Sequence, residues 1–150
     1  MEHDPMEIYN NSIELMKEVS EGIDVSGIGI TNQRETTVAW DRETGEPLYN
    51  ALVWLDKRTT EIVEAHVAKH ESIDAFRETT GLPINTYFSV VKMQWLIENV
   101  EAVQKAKEAG TLCLGTIDSW LIFKMTGEFK TDSSNASRTF LMNINTLEWD

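Results

Sequence analysis

A mixed domain of the α/β or α+β kind is predicted for this chain on three observations. Strand-like, hairpin-like and helical segments follow one another in mixed order, which argues against an all-α bundle or a β-sandwich. The chain has 150 residues, 41% of them hydrophobic and five of them tryptophan, enough for one modest core and hence one domain. No internal repeat, low-complexity tract or linker divides it.

Each element follows from local chemistry. Asp4 before Pro5 supplies an N-cap and a preferred first helical residue, Gly22 supplies a stop, and Tyr9, Ile13 and Met16 form a stripe between them. The apolar run VSGIGI over 25–30 is expected to be a buried strand whose two glycines admit close approach of neighbouring groups. Thr37–Trp40 and Leu48–Trp54 read as strands of a hairpin, joined by DRETGEP with its Gly45 and Pro47. Helical spacing covers Asp56–Lys69, and a shorter helix from Ser72 ends at Gly81, with Pro83 preventing continuation.

Ser89 is expected to cap a helix carrying Val90, Met93 and Ile97, and an amphipathic stretch from Val100 to Ala109 stops at Gly110. Thr111–Leu114 reads as a strand and Ile117–Thr126 as a helix closed by Gly127. The segment TDSSNASRT has a loop composition, and TFLMNINTLEWD a strand followed by a turn. The chain opens on a capped helix and stops just after a strand, so a fragment of a larger domain is expected, with an unpaired sheet edge and exposed apolar surface.

Charge and cysteine use narrow the function. With 25 acids against 13 Lys plus Arg, the net charge of -12 repels nucleic-acid phosphates and anionic lipid alike, so no nucleic-acid partner is expected. No transmembrane segment or signal peptide is apparent, and the lone Cys113 in an apolar run reads as a reduced core residue of a cytoplasmic protein. His3, His66 and His70 show no metal-ligand pattern, since the last two lack a third ligand. Asp118 and Asp132 read as a helix-terminal charge and a loop acid.

The most informative stretch is TNQRETT, where Arg34 and Glu35 follow directly on the 25–30 run. Ligands of α/β proteins gather at strand ends. An Arg fork beside a carboxylate suits neighbouring hydroxyls, each of which both donates and accepts, as in a polyol. The same pair also fits an ion-paired surface turn, and composition does not decide between the two. Taken alone, Trp54 fits a core position, and Tyr87 fits either a core or a site.

The stretch GIGITNQRETTVAWDRETGEPLYNALVWLDKRT resembles the polyol-binding part of the glycerol kinases, a branch of the FGGY carbohydrate-kinase family. TGLPINTYFSVVKMQWLIENV is similar to a signature of that family through Tyr87, Ser89, Lys92, Trp95, Glu98 and Asn99. EHDPMEI, GTIDSWLIFKMTG and TDSSNASRTFLMNINTLEWD resemble further family segments, so the likeness covers essentially the whole chain.

The resemblance implies part of an actin-like, ribonuclease-H-like N-terminal domain, a mixed sheet with flanking helices. It also implies that Arg34, Glu35 and Tyr87 contact glycerol hydroxyls and that Trp54 walls the carbon backbone. No role for Lys92 follows from its place in the signature. No catalytic residue is expected within the chain: the family's phosphate-binding Asp-Gly-Thr hairpin, its base aspartate and its nucleotide domain are not among these segments. ATP and Mg2+ are thus implied as the complete enzyme's partners, with contacts mostly elsewhere, and the isolated chain is expected to be inactive. A homo-oligomer is implied for the full-length enzyme. The cytoplasm is the implied location, with the mitochondrial surface open from the likeness to animal members. A kinase for another polyol or a ketose, or a short non-catalytic interaction product, is the alternative.

Overall fold

The computed structural model describes residues 1–150. Its centre is a four-stranded sheet in the order β1 (Glu2–His3), β3 (Ala51–Leu52), β2 (Thr37–Asp41), β4 (Leu112–Thr116), with all three pairings antiparallel. The longest pairing aligns Val38 with Gly115, Ala39 with Leu114 and Trp40 with Cys113. β2 has no polar alternation because helices cover both its faces. Val38 and Trp40 pack with Cys113, Ile117, Trp120 and Leu121 on one side, and Ala39 packs with Leu52, Leu96, Val100 and Val103 on the other.

The first layer is α1 (Pro5–Val19) with α6 (Ile117–Thr126). The Asp4 carboxylate caps α1 by accepting from the amides of Met6 and Glu7. The Trp120 indole donates to the Pro5 carbonyl at 2.9 Å, which ties the two helices together under the T-shaped Trp40–Trp120 contact. The second layer is α4 (Ser89–Asn99) and α5 (Glu101–Ala109), with α2 (Thr60–His70) and α3 (Arg77–Thr80) beside them. α7 (Ser133–Ala136) and the hairpin of β5 (Met142–Asn143) with β6 (Glu148–Trp149) complete the chain.

Four expectations are corrected. The 25–30 run pairs with no strand and lies on the surface, Val25 at 49% and Ile28 at 63% exposure, and nothing stands within 4 Å of where a side chain on Gly27 or Gly29 would begin. Apolar composition marked it as strand, but a strand also needs a partner edge, and none of these residues supplies one. The helix expected from Asp56 starts at Thr60, because the Asp56 carboxylate takes the Arg58 amide into a turn. The helix expected from Ser72 begins only at Arg77. The presumed loop TDSSNASRT contains α7, whose cap is the Asp132 carboxylate accepting from the Asn135 amide at 2.8 Å.

Candidate polyol site

The turn carrying Arg34 and Glu35 leads straight into β2, and its tightness shows in Glu35, which has a positive φ of 21°. Strain of this kind persists only where the surroundings fix it, and here hydroxyls do so. The Glu35 carbonyl accepts from Thr37 Oγ1 at 3.2 Å and from Ser89 Oγ at 3.0 Å. The Thr36 hydroxyl accepts from the Trp54 amide at 3.3 Å, linking the turn to the segment just after β3.

Ser89 therefore does not cap α4. The N-cap position is held by Phe88 without a side-chain bond, and the Val90 amide is instead satisfied by the Thr139 carbonyl at 3.0 Å. The start of α4 thereby grips both the Glu35 turn and the segment after α7.

Three of the four expected residues come together around a residue that the sequence did not single out, Arg138. Glu35 is buried, and its Oε1 accepts from Arg138 Nε at 2.6 Å, its one side-chain hydrogen bond. The guanidinium carbon stands 5.7 Å from the centre of the Tyr87 ring and 5.0 Å from that of Phe88. Tyr87 in turn meets Trp54, with ring centres 5.1 Å apart and planes at 53°. Both aromatic residues are only partly buried, so their faces remain reachable.

Arg34 points differently. It is exposed, and its Nη1 donates to Ser134 Oγ at 3.1 Å and to the Ser134 carbonyl at 3.4 Å, bridging to α7. Asn32 makes a parallel bridge to Asn135 at 3.0 Å. The SSNASRT segment thus lies along the whole polar turn. Sequence spacing missed this because Arg138 and Glu35 are 103 residues apart, and the only local signal was a lone Arg in a Ser- and Asn-rich stretch.

Lys92, left without a role by its spacing, is fully buried. Its ammonium donates to the carbonyls of Thr86 at 2.7 Å, Tyr87 at 2.7 Å and Phe88 at 3.2 Å. Burial pushes the ammonium down to about 8, against the pull of Asp56 and Glu35. Asp118 stands in the first turn of α6, as expected of a helix-terminal charge, but is buried, accepting from Thr116 Oγ1 and, at 2.7 Å, from Thr131 Oγ1.

Nearby, Arg58 ties the edge of the sheet together. It donates to Asp56 from Nε at 2.8 Å and to Glu2 from Nη2 at 2.7 Å, and stacks 4.6 Å from the Trp95 ring centre. Two cavities, of about 690 and 450 Å3, lie elsewhere, and neither is lined by Arg34, Glu35, Trp54 or Tyr87.

Chemically, this arrangement offers a buried carboxylate with one oxygen already held, a phenol free of hydrogen bonds and two aromatic faces. It can accept from and donate to hydroxyls while covering C–H bonds. No three His, Cys, Asp or Glu side chains are grouped so as to hold a metal ion, and no helix is long and apolar enough to cross a membrane.

Similarity to known proteins extends over the full chain. A glycerol kinase of Mycoplasmoides gallisepticum is 52% identical over 157 residues, covering 100% of this chain and 30% of that protein. A probable glycerol kinase of Caenorhabditis elegans is 44% identical and covers 99% of this chain and 32% of its own. The crystal structure of Plasmodium falciparum glycerol kinase with ADP superposes with a TM-score of 0.88 at 46% identity, over 99% of this chain and 31% of that one. A ligand-bound xylulose kinase from Lactobacillus acidophilus follows the same course with a TM-score of 0.81 at 25% identity, over 99% of this chain and 30% of that one. The chain spans about three tenths of the length of these relatives. The model of the N-terminal domain of the FGGY family of carbohydrate kinases matches residues 1–150, and the chain belongs to that family.

Proposed function

We propose that residues 1–150 form the polyol-holding part of an ATP-dependent glycerol kinase. Arg34, Glu35 and Tyr87 hold the glycerol hydroxyls in this reading, and Trp54 covers the carbon backbone. The observation that carries it is the cluster of Glu35, Arg138, Tyr87 and Trp54, in which a buried carboxylate paired with a guanidinium at 2.6 Å stands beside two aromatic faces. The identities of 52% and 44% to glycerol kinases, against 25% to the xylulose kinase, favour the small triol over a ketose.

In the complete enzyme a terminal glycerol hydroxyl attacks the γ-phosphorus of ATP in line. A new O–P bond forms, the bond to the ADP oxygen breaks, the hydroxyl proton passes to a base, and sn-glycerol 3-phosphate results. This chain's part is placement: donors and acceptors fix the hydroxyls before transfer, which removes much of the entropic barrier. ATP and Mg2+ are assigned mostly to the rest of the enzyme, because this chain spans about three tenths of the length of its kinase relatives. The complete enzyme is read as a cytoplasmic homo-oligomer, which light scattering of the purified protein tests.

The direct experiment measures phosphorylated product from glycerol and from xylulose, using a full-length kinase that carries residues 1–150. Glycerol 3-phosphate as the main product is expected, and preference for xylulose overturns the assignment. The isolated chain is expected to give no turnover with ATP and glycerol, since base and nucleotide contacts lie outside it.

A further inference from the structure

Lys92 is the one buried cation that no part of the chemistry above uses. A buried ammonium is costly unless its donors are satisfied, and all three of its N–H groups have carbonyl partners. Those partners are consecutive, Thr86, Tyr87 and Phe88, in the turn that leads into α4. Lys92 therefore reaches back from the first turn of its own helix to the three residues before it.

The middle residue of that triplet is Tyr87. Its amide is fixed from the other side, donating to Asn85 Oδ1 at 3.0 Å. Amide and carbonyl are thus both held, which fixes the backbone from which the ring extends to lie 5.1 Å from that of Trp54. The charges that face the ammonium belong to the same site or adjoin it: Asp56 after β3 and Glu35 before β2 both favour its protonated form. The guanidinium of Arg138 also pairs with Glu35, at 2.6 Å.

We propose that Lys92 is a positioning residue of the polyol site, acting through the carbonyls of Thr86, Tyr87 and Phe88 to aim the Tyr87 phenol at bound polyol. The proposal rests on the polyol reading of the cluster. It is separable from that reading, because Lys92 touches neither the substrate nor any of the four contact side chains by hydrogen bond.

The test is a double-mutant cycle on glycerol KM in a full-length kinase carrying residues 1–150, with ATP KM and kcat measured alongside. Lys92→Met is expected to raise glycerol KM about tenfold, because ångström-scale misplacement of a contact residue costs up to about a hundredfold. ATP KM is expected to stay put. In a Tyr87→Ala background the same change is expected to add less than about twofold, since the residue it aims is gone.

A full tenfold effect that persists without Tyr87, or one spread equally over ATP and glycerol, makes Lys92 a fold residue only and overturns the proposal. If Tyr87→Ala itself leaves glycerol KM unchanged, the polyol reading fails first, and separately. Should Lys92→Met not fold, Lys92→Arg decides the matter. It keeps the charge, but a planar fork cannot meet three converging carbonyls, so glycerol KM is expected to rise at least about threefold. An unchanged KM overturns the proposal.

Discussion

The hydroxyl of Ser89 donates to the carbonyl of Glu35 at 3.0 Å, across 54 residues of sequence and in a fully buried setting. Through that bond the start of α4 holds the strained turn that presents the acid, while the residues just before it present Tyr87 and Phe88. Acid and aromatic wall are thus mounted on one joint, which ties the geometry of the site to the packing of a single helix end.

Arg138 is expected to matter to stability as well as to binding. Arg138→Leu leaves the buried Glu35 carboxylate without its hydrogen-bonded ion-pair partner, at a cost of about 2 kcal/mol once the partial exposure of the guanidinium is allowed for. Urea unfolding should show a lower midpoint with an unchanged slope. Arg138→Lys should lie between, because it keeps the charge but loses the planar contact with Phe88.

Gly115 is expected to tolerate no side chain. A Cβ there would sit 2.9 Å from the Ser119 Cβ, 3.0 Å from the Trp40 ring and 3.2 Å from the Phe129 ring. The first of these is rigidly placed on α6, so Gly115→Ala should destabilise by about 1 to 3 kcal/mol through overpacking of the β2–β4 interface. Thermal unfolding followed by tryptophan fluorescence reads it out.

Acid stability should depend on Asp56. Burial pushes its carboxyl up, but the hydrogen bonds from the Arg58 side chain, the amino terminus and the Arg58 amide outweigh that and hold it well below its ordinary value of 3.8. A carboxyl depressed in the folded state contributes stability that is fully present above its unfolded value and is lost as pH falls through the folded one. Asp56→Asn should therefore lower stability at pH 7 by about 3 kcal/mol and flatten the fall in stability below about pH 4, in denaturation curves taken across pH.

Local chemistry made most elements legible, since caps and stops at Asp4, Gly110 and Gly127 are decided within a few residues of themselves. The α6 helix runs Ile117–Thr126 as expected, for this reason. What depended on distant partners was not legible. VSGIGI has the composition of a strand and no edge to join, Ser89 has the identity of a cap and spends its hydroxyl on Glu35, and Asp118 is buried by two threonines. In the site, the Arg34–Glu35 pair stood out by its chemistry and Tyr87 and Trp54 by the family likeness, and the structure supplies how Glu35, Tyr87 and Trp54 meet. Arg138 and Lys92 act through contacts that no spacing rule marks, one with a residue 103 positions away and one with a backbone whose path is set by the fold.

The measurement that bears most directly on the account is glycerol KM for Glu35→Gln in a full-length kinase carrying residues 1–150. The amide keeps the shape and can still accept from Arg138, so folding should survive while the charged acceptor for a hydroxyl is lost. Hydrogen bonds to charged groups are worth enough that glycerol KM should rise by about 10- to 100-fold, with ATP KM unchanged. A glycerol KM equal to that of the parent enzyme would contradict the polyol site described here and return the Glu35–Arg138 pair to a purely structural role.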